Sequence, residues 1–307
     1  MKPTAELIVI LGPTASGKTR LAVEVAKQIN GAIISADSRQ VYRGMDIGTG
    51  KDLEAYGDIP RYLIDILDAG DTYHVSQYVG DFHAALNRIA QQGKHPVLCG
   101  GTGLYIQSVL QRLDYSHVPI DKSLRTGLET LTVDVLSGML HNLPKPPGFK
   151  ADTSTKKRLI RAIEIGMWCR HHGLPPQHRG AVPAILFGIA PSVDVRRQRI
   201  TERLQLRLEQ GLIDEVRLLL EKGVPPERLM YYGLEYKYAT RYLLDELDYE
   251  TFFSRLNTEI HRFAKRQMTY FRKMEKDGLK IHWLADGPVS DMATEVIASL
   301  KEKGAVS

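Results

Sequence analysis

Residues 12–19 read Gly-Pro-Thr-Ala-Ser-Gly-Lys-Thr, which satisfies the spacing G-x-x-x-x-G-K-[ST] of a loop that wraps phosphate groups. Gly12 and Gly17 let the backbone curl with its N–H groups inward, and Pro13, Thr14, Ala15 and Ser16 complete the curl. Lys18 brings a positive charge and Thr19 a hydroxyl that can ligate Mg²⁺. The ligand these residues suit is a diphosphate or triphosphate. What the phosphates carry is read elsewhere, so a nucleoside triphosphate and a prenyl diphosphate satisfy the loop equally. Asp37 closes the next apolar run, AIISAD. A carboxylate across from the loop can take a proton from an incoming nucleophile. The same residues would serve a small-molecule kinase, and the carboxylate could equally cap a helix or stand behind Mg²⁺.

The elements that must position these residues follow from hydrophobic periodicity. LIVIL (7–11) is short, β-branched and followed at once by Gly and Pro, so it predicts a buried strand; residues 17–29 predict a helix with Leu21, Val25 and Ile29 on one face. Further strands are expected at 32–37, 61–67, 95–101, 184–191 and 280–284. Helices are expected at 75–92, 155–171, 193–210, 213–222, 234–246 and 249–276. The aromatic and aliphatic stripe of the last, Phe252, Leu256, Ile260, Phe263, Met268 and Phe271, is expected to pack in the core. Strands alternating with helices imply an α/β fold with a mostly parallel sheet. The pattern breaks after about residue 112, where helices run without a strand and the loops NLPKPPGF (142–149) and GLPPQHRG (173–180) interrupt. The organisation this predicts is a P-loop NTPase-like core in two parts, 1–112 and 183–307, the second carrying C-terminal helices, with a small helical insertion at 113–182.

Composition excludes several classes. A chain of 307 residues with 43% hydrophobic and 25% charged residues is neither disordered nor fibrous. No apolar run approaches the roughly 20 residues of a membrane span. Two cysteines, Cys99 and Cys169, form neither a disulfide framework nor a metal-ligand pattern. These features predict a cytoplasmic protein. The net charge is +5, and the positive residues are clustered. Lys156, Lys157, Arg158 and Arg161 form one group; Arg196, Arg197, Arg199, Arg203 and Arg207 form a second; residues 254–276 hold seven Lys/Arg against two acidic residues. A solvated helix face explains any one of these, and a polyanionic partner explains all three.

The motif ISADSRQVYRGMDIGTGK, with GPTASGKT before it, closely resembles the tRNA dimethylallyltransferase (tRNA isopentenyltransferase) family. The resemblance continues in order through RYLIDIL, PVLCGGTGLY, KRLIRAIEI, RITERL, YYGLEYK and RFAKRQMTYFR, over most of the chain. It implies transfer of a dimethylallyl group from dimethylallyl diphosphate to N6 of the adenosine 3′ to the anticodon, with Mg²⁺ and without consumption of ATP. It implies that residues 12–19 hold the diphosphate, with Thr19 on Mg²⁺ and Arg203 adding charge on the leaving group, and that Asp37 takes the N6 proton. By the same matching, Asp37, Ser38, Arg39 and Gln40 line the path of the target nucleotide, and Thr102, Arg125, Lys157, Arg158, Leu159, Ile160 and Arg161 fall at positions that touch the tRNA anticodon stem-loop. A monomer is expected. Three features depart from the pattern: Gly48-Thr49-Gly50-Lys51-Asp52 where the family commonly has GTAKP, Asp152-Thr153 where it has an N-D pair, and a shorter insertion. The other readings are a small-molecule P-loop kinase, an enzyme that prenylates a free adenine nucleotide, and a non-catalytic RNA-binding protein.

Overall fold

The computed structural model describes residues 6–111, 115, 118–143, 149, 151–173 and 182–306. The chain divides into two compact units, one of residues 1–111 and 181–307, the other of residues 112–180. The first is built on six parallel strands, β1 (Leu7–Leu11), β2 (Gly31–Ser35), β3 (Arg61–Tyr62), β4 (His95–Gly100), β5 (Ala184–Ile189) and β6 (Ile281–Leu284), in the order β3-β2-β4-β1-β5-β6. Helices α1 (Lys18–Gln28), α2 (Val75–Gln91) and α3 (Gly103–Leu110) belong to its first half. Helices α4 (Lys122–Glu129), α5 (Val133–Asn142) and α6 (Lys156–His172) make up the second unit. The chain then returns with α7 (Val193–Glu209), α8 (Leu212–Glu221), α9 (Pro226–Tyr231), α10 (Leu234–Leu243), α11 (Tyr249–Lys276) and α12 (Val289–Glu302).

All five residues of β1 are buried because helices cover both faces of the sheet, the reason the strand reads as a continuous apolar run. Leu7, Val9 and Leu11 join a cluster with Phe82 of α2, Ile106 of α3, Leu204 of α7 and Phe271 of α11. Ile8 and Ile10 point the other way, to Leu21 and Val25 of α1 and Val296 and Leu300 of α12. From β1 the chain crosses over α1 to β2, which lies beyond β4, so strand order reverses at β1 and β4. A crevice opens at the carboxyl ends of strands where that happens. The phosphate loop leaves β1 there, Gly100 and Gly101 end β4, and Asp37 lies just past β2.

Four expectations change. Residues 61–67 are a strand only at Arg61–Tyr62, because Leu63 and Asp65 take left-handed backbone (φ 61° and 56°) and end the extended run. β2 stops at Ser35, and Asp37 enters a turn rather than closing the strand. Phe263, placed in the core by periodicity, is 41% exposed and lines a cavity, while its stripe partners Phe252, Leu256, Ile260, Met268 and Phe271 are buried. Helices α3, α9 and α12 are additional, and α12 packs on the sheet through Met292, Ala293, Val296 and Leu300.

In the insertion, side chains of Asp121, Thr132 and Thr155 accept the N–H groups of Leu124, Val135 and Arg158 and so start α4, α5 and α6. Leu128, Leu136, Leu140, Leu159, Ile160 and Ile163 form its core. The loops expected at 142–149 and 173–180 lie outside the described residues except for 142, 143, 149 and 173. Among the described residues, no helix is long and apolar enough to cross a membrane.

The segment from Tyr42 to Lys51 is folded around one buried cation. The Lys51 side chain is fully buried, and its Nζ donates to Tyr42 O and Asp46 Oδ1, both at 2.6 Å, and to the Asp65 carboxylate. Removing one partner of a buried ion pair strands the others, at a cost near 3–5 kcal/mol. Both carboxylates here reach water, which places the loss at the low end. Lys51→Met is therefore expected to lower the unfolding free energy by about 3 kcal/mol in urea titration; a loss within the scatter of a surface substitution would show that the segment folds without it.

Candidate active site

Gly17, in left-handed backbone at φ 84°, caps α1 and turns the phosphate loop onto the helix. Ser16 Oγ is buried inside the loop without a hydrogen-bond partner, an orphaned donor where a phosphate oxygen would lie. Thr14, Lys18 and Thr19 line a cavity of about 360 Å³ together with Asp37, Ser38, Arg39, Gln40, Thr102 and Arg203. The structure thus brings most of the residues expected in the core to one place. Six cationic side chains and two carboxylates line this cavity, a balance suited to a polyanion. Lys18 Nζ reaches only the Pro13 carbonyl, at 3.3 Å. Burial holds its ammonium below the ordinary lysine value; the guanidiniums of Arg203 and Arg207 act the same way, against Asp37. Burial and Arg207 likewise pull Arg203 down to about 10. Arg203 and Arg207 each have one carboxylate partner, Asp52 and Glu235, while Lys18 Nζ has none among the described residues, so this group of cations in partly dry surroundings suits a further anion.

Arg203 and Arg207, one helical turn apart on α7, sit over the loop at 48–50. Arg203 Nη2 donates to Gly50 O at 3.3 Å and Asp52 Oδ2 at 3.1 Å; Arg207 Nη1 donates to Gly48 O at 3.3 Å and Glu235 Oε1 at 3.0 Å. Gly50, at φ 61°, lets them lie close: a Cβ there would push both guanidiniums aside. Glu215 of α8 fixes the same loop by accepting the N–H groups of Asp46, Ile47 and Gly48 and the hydroxyl of Tyr236. Gln40 ties it to β2, its amide donating to Gly50 O while its oxygen accepts from Ser35 Oγ.

Asp37 Oδ1 accepts the Arg39 N–H at 2.9 Å, and Thr102 Oγ1 accepts the Ser38 N–H at 3.1 Å. These bonds shape the turn after β2 and leave the Asp37 carboxylate on the cavity wall opposite the phosphate loop. No helix starts at this turn, so Asp37 is not a helix cap. Arg39 lies over the ring of Tyr231, 5.2 Å from its centroid. Cys99 lies beneath the loop, its thiol donating to Lys18 O at 3.7 Å and pushed by burial to about 11, so it stays neutral.

The expected insertion residues divide by environment. Lys157 and Arg158 are exposed, Arg158 pairing with Asp152 at 3.0 Å. Leu159 and Ile160 are buried in the insertion core, so their side chains are turned away from any ligand. Arg125 and Arg161 both bind Glu164, which is 2% exposed, and Arg161 also donates to the carbonyls of Tyr115, Val118 and Pro119. The two guanidiniums hold the Glu164 carboxyl below its ordinary value in spite of burial. Sequence analysis grouped Arg158 and Arg161 as one basic cluster but gave no sign of this internal carboxylate.

Four residues that the sequence did not place in the site complete it: Arg207, known from it only as a member of a basic cluster, and Glu215, Glu235 and Gln267. Gln267 Oε1 accepts the Thr14 N–H at 2.8 Å and its Nε2 donates to Gly101 O at 3.0 Å, clamping the phosphate loop to the end of β4. It faces the same way as the α11 core stripe, which concealed it. Gln267→Ala leaves a buried N–H and carbonyl unpaired, and is expected to weaken inorganic diphosphate binding about tenfold, in line with a cost of roughly 1–3 kcal/mol. Calorimetric titration reads this directly, and an unchanged affinity would mean the loop keeps its shape alone.

Comparison with known proteins identifies the family. The IPP transferase family profile matches residues 40–274 and that of the isopentenyl transferases matches residues 5–63. The chain is 46% identical over 304 residues to tRNA dimethylallyltransferase 2 of Porphyromonas gingivalis, covering 96% of this chain and 98% of that one. It is 46% identical over 305 residues to the Bacteroides fragilis protein of the same name, covering 98% and 99%. Among solved structures, the full-length tRNA isopentenylpyrophosphate transferase of Bacillus halodurans superposes with a TM-score of 0.71 at 31% identity, covering 98% of both chains. A eukaryotic dimethylallyltransferase, solved acting on tRNA, gives 0.74 at 21% identity, covering 97% of this chain and 80% of that one, and speaks to the fold alone. With a profile spanning most of its length and relatives of this identity, the chain belongs to the IPP transferase family.

Proposed function

We propose that the protein transfers a dimethylallyl group from dimethylallyl diphosphate to N6 of the adenosine 3′-adjacent to the anticodon of tRNA. The observation that carries this reading is the single cavity in which Asp37 faces Lys18, Arg203 and Arg207. A diphosphate belongs against the cations and an amino nucleophile against the carboxylate. The names of the relatives supply the class of reaction.

The adenine amino group is a weak nucleophile because its lone pair is delocalised into the ring. It attacks C1 of the allylic group as the C1–O bond to diphosphate breaks, and the electron pair leaves with the diphosphate. Lys18, Arg203, the loop N–H groups and Ser16 Oγ neutralise that charge, with stronger effect in surroundings from which water is partly excluded. Asp37 accepts the N6 proton. Tyr56, Met230, Ile260 and Phe263 supply an apolar side to the cavity for the five-carbon chain. The residues also suit Mg²⁺, which takes few protein oxygens and several from a bound diphosphate: Thr19 would hold it, with Asp37 in the same cavity. Bound there, the ion would stabilise charge on the leaving group. No cluster of three or more acidic, histidine or cysteine ligands exists among the described residues, so a metal held by protein alone is not supported.

The target base must leave the anticodon-loop stack to reach Asp37, at roughly a few kcal/mol, and phosphate contacts offset that. On the insertion, Lys157 and Arg158 are offered to the RNA, with Arg125 and Arg161 acting through the Glu164 cluster that shapes the surface. The cytoplasm, where tRNA is found, is its place of work, and the groups invoked all lie on one chain, consistent with a monomer.

The direct test incubates the protein with dimethylallyl diphosphate, Mg²⁺ and unmodified tRNA and weighs the digested nucleosides. An adenosine heavier by one dimethylallyl group is expected, with none formed in parallel from free AMP; modified AMP with untouched tRNA would overturn the reading. Asp37→Asn keeps the size of the side chain and removes its basicity, and is expected to lower kcat by about 10²- to 10⁴-fold with binding of both substrates retained. A near-normal kcat would leave Asp37 an orienting role only. Replacing Lys157 and Arg158 by Ala should raise the KM for tRNA and flatten its salt dependence by about one unit of slope per contact. Arg161→Ala should instead lower the melting temperature; equal salt slopes in both variants would contradict that division.

A further inference from the structure

The two arginines of α7 are held by unequal partners. Arg207 and Glu235 form a buried pair, their side chains 9% and 17% exposed, and this guanidinium is locked in place. Arg203 and Asp52 form an open pair, 28% and 56% exposed. Asp52 adopts left-handed backbone (φ 47°, ψ 48°), a conformation Asp and Asn accept more readily than most side chains, and there its carboxylate meets Arg203 Nη2. Arg203 therefore already has an anion, in a more exposed pair than that of Arg207, whereas Lys18 in the same cavity has no carboxylate partner among the described residues.

We propose that Asp52 is a resident counter-anion which Arg203 exchanges for the diphosphate, making this carboxylate a residue that sets donor affinity and eases the departure of product diphosphate. The inference rests on the reading of the cavity as a diphosphate site. Half-exposed ion pairs contribute little, about 0–1 kcal/mol, so this one breaks readily when a more highly charged ligand arrives. Each loading step must still give it up, and each release regains it. A strong buried pair, such as Arg207–Glu235, could not be exchanged in this way. Asp52 touches Arg203 and not the reacting atoms, so its role is one of positioning.

Titration of inorganic diphosphate with Mg²⁺ into the wild-type chain and into Asp52→Asn and Asp52→Gly tests this, since Asn and Gly both accept the positive φ at this position. Each variant is expected to bind diphosphate about three- to fivefold more tightly, the factor an exposed pair of this strength implies. Product inhibition by diphosphate should strengthen and the KM for dimethylallyl diphosphate should fall in the same proportion, with kcat no higher than wild type. A residue that only supports the fold would lower the melting temperature without tightening binding. Wild-type binding with both variants unchanged or weaker overturns the role of Asp52 alone, whereas absence of diphosphate binding to wild type overturns the reading of the cavity and this inference with it.

Discussion

Burial of the Lys18 ammonium close to the guanidiniums of Arg203 and Arg207 is the constraint on which the site depends. Cations withdrawn from water and set against one another are unfavourable unless an anion joins them. Much of the first unit serves to hold that arrangement. The reversal of strand order at β1 and β4 opens the crevice, α1 presents Lys18 at its start, and α7 brings the two arginines one turn apart over the loop at 48–50. The loop is in turn pinned from three sides, by Lys51, Gln40 and Glu215. Gln267 secures the phosphate loop from the opposite direction. The surrounding hydrogen bonds keep the cations in position before any ligand arrives, which is what electrostatic stabilisation of a leaving group requires.

Where a residue's role follows from local spacing, the sequence was readable. G-x-x-x-x-G-K-T between an apolar run and an amphipathic segment placed Lys18 and Thr19, and the run ending near Asp37 placed that carboxylate across from them. The parallel sheet followed from the alternation of strands with helices, and the long α11 from its stripe. Roles that depend on pairing across the fold were hidden. Nothing local to Glu215 reveals that it accepts three N–H groups from residues 46–48, and Gln267 shares its periodicity with the hydrophobic core. Phe263 shares that periodicity too, yet it is 41% exposed and lines the cavity.

The same limit explains the insertion. Arg158 and Arg161 lie three residues apart, and helical geometry alone makes them equivalent neighbours. Glu164, one further turn along, captures Arg161 and draws in Arg125 from α4, while Arg158 stays outward. The departure at 48–52 has a physical reading as well. Proline, which the family pattern carries at the place of Asp52, cannot adopt the positive φ found there. The glycine at position 50, at φ 61°, lets both guanidiniums lie against it where a Cβ would make them shift.

The central claim, that these cations await a diphosphate, is most directly tested by the titration of Lys18 itself. A protonated ammonium binds the anion, so binding must raise its pKa; affinity is full below the free-state value and is lost as pH rises through it. Isotope-edited NMR of the Lys18 Cε resonance, with the assignment confirmed by its loss in Lys18→Ala, should show titration below the ordinary lysine range in the free protein. Adding inorganic diphosphate and Mg²⁺ should move that titration upward. A Lys18 that titrates like a surface lysine when free, or whose titration is unmoved by diphosphate, would contradict the account.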